Sequence, residues 1–409
     1  MTYLTRTLTL WLLASLFLLP HAQTPDAPGT LLSATPSGTY QPDDIRSLAA
    51  PLFDKYGVPR LTAAVDAYDL VYTTTDLDGS TAQISAQLFV PVYTAPAERP
   101  LYVFGSGTTG LGDECAPSVE YSYGDHPLGY YRANLLAFAS RGIISVIPNY
   151  LGFDDPEQAQ PYFNAVAEAH VMLDAVRAVT AFFEQNSQVV ELSDAVFTGG
   201  YSQGGHAAFA AADLRPSYAP EVTLTGVIGY GATTNVARLM KEGPYYAPYL
   251  VQSFSTTYGA DVFDPAEVLN ARWVPTLEED AVSRCVDRAQ AYYPFDASLI
   301  YTPEFARALN ADTLATDFPN IHRVLEENRT GLSGHGLPAL IVQGAQDVIV
   351  RNPTQELFVR ELCAAGSQVQ YLNFPGVRHR FTRQVGFEES IAWMEGQARG
   401  EPAPSSCGL

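Results

Sequence analysis

Ala195-Val196-Phe197-Thr198-Gly199-Gly200-Tyr201-Ser202-Gln203-Gly204-Gly205-His206-Ala207-Ala208 is the stretch that decides the architecture. An apolar, β-prone run leads into a Gly-x-Ser-x-Gly pentapeptide, and an alanine-rich helix, Gly204 to Leu214, leaves it. A turn this sharp strains the serine backbone, so the residues two places away on either side must lack side-chain bulk; Gly200 and Gly204 meet that need. The pentapeptide alone is a modest pattern. With a strand before it and a helix after it, it reads as a nucleophile elbow, with the Ser202 hydroxyl presented at the carboxyl end of a sheet strand.

Outward from this turn the chain alternates strand and helix. Val71 to Thr75 and Ala82 to Val90 flank an Asp-Gly turn and read as a hairpin. Leu101 to Phe104 and Ile143 to Ile147 are short apolar runs of the kind that form buried parallel strands. Residues 160–184 place Val166, His170, Leu173, Val176 and Phe182 at near-helical spacing. Further strands fall at Val227 to Tyr230, Ala339 to Val342 and Val369 to Leu372. The pattern predicts an α/β protein with a mostly parallel central sheet flanked by helices.

Residues 235–335 interrupt the alternation and are dense in aromatics, among them Tyr245, Tyr246, Tyr249, Phe254, Trp273 and Tyr293. They are expected to form an inserted helical cap with its own small core, placed over the site as an apolar wall. The predicted organisation is therefore a leader, residues 1–22, a core built from residues 23–234 plus 336–409, and the cap. Residues 23–40, rich in Pro, Thr, Gly and Ser, read as a flexible lead-in.

A serine hydroxyl needs a base. Of the seven histidines, His379 follows the strand at 369–374 near the end of the chain, where loops at the carboxyl ends of parallel strands converge. His206 is four residues past Ser202 on one helix, too close to reach over the hydroxyl. His170 reads as a packed helix residue, and His126, His322 and His335 fall in loops or the cap. The orienting acid belongs between serine and histidine in chain order. Asp347, just after the strand at 339–342, fits better than Asp261, Asp264 or Asp312 in the insertion. The negative charge of a tetrahedral intermediate needs two donors. One is the backbone N–H of Gln203. The other is expected in Gly105 to Gly110, with Thr109 favoured over Thr108.

Composition bounds the rest. The 409 residues are 47% hydrophobic and 16% charged, as in globular proteins. A net charge of -21, from 23 basic and 44 acidic residues, repels phosphate backbones, so nucleic acid is not an expected partner. Arg6, the apolar run Leu8 to Leu19 and Pro20-His21-Ala22 form an export signal too short to serve as a stable membrane anchor. The four cysteines, Cys115, Cys285, Cys363 and Cys407, suggest two disulfides in an exported chain, and spacing alone does not choose among three pairings. No Cys-x-x-Cys pair suggests a metal site, and no cofactor is expected.

These segments carry a resemblance to the secretory lipase family of lipase A type, including its bacterial members. The matching stretches are Gly107-Thr108-Thr109-Gly110, Cys115-Ala116-Pro117-Ser118, Pro148-Asn149-Tyr150-Leu151-Gly152, Gly200 to His206, and the surroundings of Asp347 and His379. The resemblance implies an α/β-hydrolase fold with a helical cap, carboxylic ester hydrolysis, and the pairings Cys115–Cys285 and Cys363–Cys407. The expected protein is a secreted, extracellular or periplasmic, monomeric serine esterase or lipase acting on a small-molecule or lipid ester. A serine peptidase or acyltransferase on the same fold is the alternative.

Overall fold

The computed structural model describes residues 27–119, 129–186 and 188–408. The predicted leader, residues 1–22, and His126 lie outside the described residues. Nine strands form one sheet: β1 (Leu31–Tyr40), β2 (Val65–Thr75), β3 (Thr81–Pro91), β4 (Ala97–Gly105), β5 (Ile144–Pro148), β6 (Val190–Tyr201), β7 (Gly226–Tyr230), β8 (Ala339–Gly344) and β9 (Val369–Phe374). Their spatial order is β1-β2-β3-β5-β4-β6-β7-β8-β9. The pairs from β1 through β3 to β5 are antiparallel; every pair from β5 to β9 is parallel.

The hairpin pairs as its alternation requires, with Val65 opposite Pro91 and Thr75 opposite Thr81. The lead-in reading of residues 31–40 needs correction. This stretch is the edge strand β1, paired antiparallel to β2 with a register shift between Pro36 and Gly38. An edge strand needs only backbone hydrogen bonds on one side, so Ser, Thr and Pro are tolerated there and the apolar signal of a core strand is missing.

Successive residues of the central strands feed two cores, one on each sheet face. Val103 and Val227 pack with Val171, Ala208, Phe209 and Leu362. Tyr102, Phe104 and Ile228 point the other way, toward Leu135, Phe138, Ile391 and Trp393. The helices are α1 (Pro42–Ala49), α2 (Tyr131–Ser140), α3 (Ala165–Gln185) and α4 (Gln203–Tyr218), with Asn352–Ala364 and Phe387–Ala398 after the insertion. The Asn164 side chain caps α3 by accepting from Ala167 N at 3.0 Å. Small residues let α4 lie close on the sheet: Ala207, Ala208, Ala210, Ala211 and Ala212 are all fully buried.

Between β7 and β8 the chain is helical from Val236–Glu242 to Pro319–Glu327. Leu250, Phe254, Phe263, Tyr301 and Phe305 form a core there, joined by Leu111, Tyr162, Phe163, Ile349 and Val350 from the sheet unit. The insertion is thus packed onto the loops that follow β4, β5 and β8. Cys115 is bonded to Cys285, joining the loop after β4 to the insertion, and Cys363 to Cys407, joining a helix to the chain end.

Strand order reverses at β4, whose neighbours are β5 and β6. In open parallel sheets the crevice beyond the carboxyl ends of the strands at such a reversal is where ligands bind. Gly105 ends β4 directly opposite Gly200 of β6, so the loops leaving both strands enter that crevice together.

Candidate active site

Ser202 stands between β6 and α4 with φ 55° and ψ -113°, outside the ordinary left-handed well and strained for a residue with a side chain. Its N–H donates to Tyr230 O at 3.0 Å. The flanking glycines are needed sterically. A Cβ on Gly200 would strike the Gly204 carbonyl, and one on Gly204 would strike the Gly105 carbonyl. The loop after β4 therefore crosses directly over the first turn of α4.

His379 opens a short turn after β9, and Asp347 lies in the loop after β8. The structure brings both to the serine. His379 Nδ1–H donates to Asp347 Oδ2 at 2.7 Å, which leaves Nε2 free to accept from Ser202 Oγ at 2.9 Å. Asp347 Oδ1 accepts from the backbone N–H groups of Ile349 (2.8 Å) and Val350 (2.9 Å), so each carboxylate oxygen is held in a separate direction. Ser202 is 5% exposed and His379 8%, so the chain of hydrogen bonds is shielded yet reachable at one end. Gly231, with φ +53°, passes so close that a Cβ there would lie 3.0 Å from His379 Nδ1.

Gln203 is the first residue of α4, and the first N–H groups of a helix have no intrahelical acceptor. Beside it, the loop Gly105 to Gly110 is pinned at several points. Tyr150 OH donates to Ser106 O at 2.7 Å. Thr108 Oγ1 and Tyr162 OH are 2.6 Å apart. Thr109 O accepts from Val286 N at 2.8 Å, a bond next to the Cys115–Cys285 link. With its hydroxyl engaged to Tyr162, Thr108 is committed to the wall of the loop. Thr109 is buried.

Tyr201 packs against His379 with ring centroids 5.0 Å apart. Burial drives the phenols of Tyr201, Tyr245 and Tyr246 upward, and the nearby Asp347 charge adds to the rise for Tyr201 and Tyr246. All three stay neutral. Tyr245 and Tyr246 come from the insertion and pack on each other with ring centroids 4.4 Å apart.

Other histidines lie elsewhere. His206 is fully buried against Glu168, and His170 stacks on Tyr218 at 3.8 Å. Residues not singled out in the sequence also shape the site: Glu168 behind α4, Arg383 one turn past His379, and Gly231. Among the described residues no group of three or more His, Cys, Asp or Glu is arranged to hold a metal, and no helix is long and apolar enough to cross a membrane.

Residues 131–406 match a family model described as secretory lipase. Lipase A of Moesziomyces aphidis is 25% identical over 360 residues, covering 84% of this chain and 74% of that protein. Secreted triacylglycerol lipase LIP7 of Malassezia globosa is 23% identical over 366 residues, covering 84% and 72% respectively. Among solved structures, the rice cell wall degrading esterase LipA from Xanthomonas oryzae superposes with a TM-score of 0.72 at 20% identity, covering 91% of this chain and 97% of that one. It shares the fold, a mostly parallel sheet flanked by helices.

Proposed function

The chain belongs to the secretory lipase family, and on that premise we propose that Ser202, His379 and Asp347 carry its chemistry as nucleophile, general base and orienting acid. As a member it is a secreted hydrolase of carboxylic esters. The observation that supports the assignment is the unbroken path from Ser202 Oγ through His379 to Asp347 Oδ2.

In this reading Ser202 Oγ attacks the ester carbonyl carbon while its proton passes to His379 Nε2. Negative charge gathers on the carbonyl oxygen, which accepts from the N–H of Gln203 and of Thr109. The C–O bond to the alcohol breaks, and His379 returns its proton to the leaving oxygen. Water then attacks the acyl-enzyme, giving a proton to Nε2. Collapse frees the acid and restores the Ser202 hydroxyl. Asp347 holds the imidazole in the tautomer this needs and stabilises its charged form. No step calls for a metal or cofactor.

Residues 235–335 act as a cap, with Tyr245 and Tyr246 forming the wall that meets the ester. Its mixed apolar and phenolic character suits an acyl or alcohol portion with some polarity. The enzyme works as a monomer on a small-molecule or lipid ester, and its charge keeps nucleic acid away.

Hydrolysis of p-nitrophenyl esters from acetate to palmitate tests the reading. Ser202→Ala and Asp347→Asn should each lower kcat by about a thousandfold or more, with Asp347→Asn acting through the wrong imidazole tautomer. Equal rates for the wild type and Ser202→Ala would refute it. The position of the maximum along the ester series separates esterase from lipase preference.

A further inference from the structure

Behind the nucleophile lies a second acid–imidazole pair that the reaction does not touch. Glu168, on the first turn of α3, is 1% exposed, and His206, one turn into α4, is fully buried. Glu168 Oε2 lies 2.6 Å from His206 Nδ1. His206 Nε2 faces only a carbonyl, Asn328 O at 2.7 Å, and so donates to it. Asn328 follows the last helix of the insertion. Removing a carboxylate from water costs several kcal/mol unless it is fully hydrogen-bonded.

The other oxygen meets that need in an informative way. Glu168 Oε1 accepts from the Gln203 side chain, Nε2 at 2.8 Å, and from the backbone N–H of Phe163 at 3.2 Å. Phe163 is itself held at φ 56°, a conformation an aromatic residue adopts only under constraint. Its ring packs edge-on against His206 at 4.9 Å. The preceding residue, Tyr162, is the one whose hydroxyl meets Thr108. One carboxylate oxygen thus fastens the residue that opens α4 and, through the 162–163 turn, the loop opposite it.

We propose that Glu168, braced by His206, is a positioning residue that sets the distance between the two walls of the oxyanion pocket: Gln203 on one side and the Gly107–Gly110 loop on the other. This rests on the oxyanion roles assigned above to Gln203 and to that loop. Electrostatic stabilisation of a developing oxyanion depends on donors already in place, so a shift in either wall weakens the transition state more than the bound substrate.

The test uses the full-length enzyme and p-nitrophenyl acetate, with rates normalised to sites labelled by a fluorophosphonate. Glu168→Gln keeps the volume but turns an N–H toward a donor on one side. It should lower kcat per labelled site by about tenfold or more, with KM within about threefold. A trifluoromethyl ketone, which mimics the tetrahedral adduct, should bind more weakly by the same factor. Gln203→Ala cuts the same link from the other end while keeping its backbone N–H, and the double variant should be no worse than the poorer single. If Glu168→Gln does not fold, Gln203→Ala and Tyr162→Phe each cut one tie and should each lower kcat and ketone affinity in parallel. Wild-type kcat per labelled site in the folded variants, whatever their thermal stability, overturns the inference. Failure of the wild type to be labelled at Ser202 would instead remove the functional reading beneath it.

Discussion

Arg383 lies 4.9 Å from the ring centre of Tyr201, on a side chain that is buried together with its charge. It also lies 4.8 Å from the ring centre of Tyr131, and its nitrogens donate to Asn134 Oδ1 (3.1 Å) and Gly129 O (2.6 Å). The guanidinium therefore clamps the residue before the nucleophile to the start of α2. Arg383→Met is expected to destabilise the fold by roughly 2–4 kcal/mol, because two hydrogen bonds and two ring contacts go at once. Arg383→Lys should recover only part of this, since an ammonium does not reproduce the planar fork. Thermal unfolding of the three proteins measures the order.

The Cys115–Cys285 bond ties the segment after β4 to the insertion across 170 residues. Replacing both cysteines by serine should cost roughly 2–5 kcal/mol of stability. It should also raise KM for the longer esters more than for acetate, because Val286 N loses its fixed approach to Thr109 O. Chemical denaturation and the ester series read the two effects separately.

Gly204 has no room for a methyl group against the Gly105 carbonyl. Gly204→Ala should push β4 and α4 apart, with a cost of roughly 3 kcal/mol or more and loss of most activity. Gly366, where a Cβ would meet nothing, is a useful contrast even though its φ is +101°. Gly366→Ala should cost only roughly 1–2 kcal/mol of backbone strain and leave kcat unchanged.

Burial holds the imidazoles of His170 and His335 below their usual range. The folded state thus favours the neutral rings, while the unfolded chain takes up protons near pH 6.5. Their contribution to stability is fully present above about pH 6.5 and declines as the pH falls below it, by up to about 1.4 kcal/mol per pH unit for each group. Unfolding free energies between pH 7.5 and 5.5 should fall, and His170→Gln should flatten the slope. An unchanged slope in that variant would show that the ring does not take part.

The local signals proved readable where chemistry and backbone coincide in one short stretch. The strand, the two glycines and the alanine helix around Ser202 lie in adjacent residues, so periodicity and steric need identify the elbow. Asp347 and His379 were accessible through chain order and their places after β8 and β9. The edge strand β1 was not, because its stability comes from pairing with β2 and not from its own side chains. Glu168 and Arg383 were also silent: Glu168 meets Gln203 across 35 residues, and Arg383 meets Asn134 across 249. A buried charge has meaning only through the partners that satisfy it, and those are set by packing.

The amino-acid sequence by itself determined the alternating sheet, the sharp turn at Ser202 and the choice of Asp347 and His379 as its candidate partners, because these follow from spacing, chain order and side-chain chemistry. The tertiary structure alone decided how those groups meet. The parallel register that sets Gly105 against Gly200 brings the loop after β4 over α4. The pairing of β8 with β9 brings Asp347 within 2.7 Å of His379. Hydrogen-bonded register and close packing convert separations of many residues into distances of a few ångströms, and no local pattern in the chain carries that conversion.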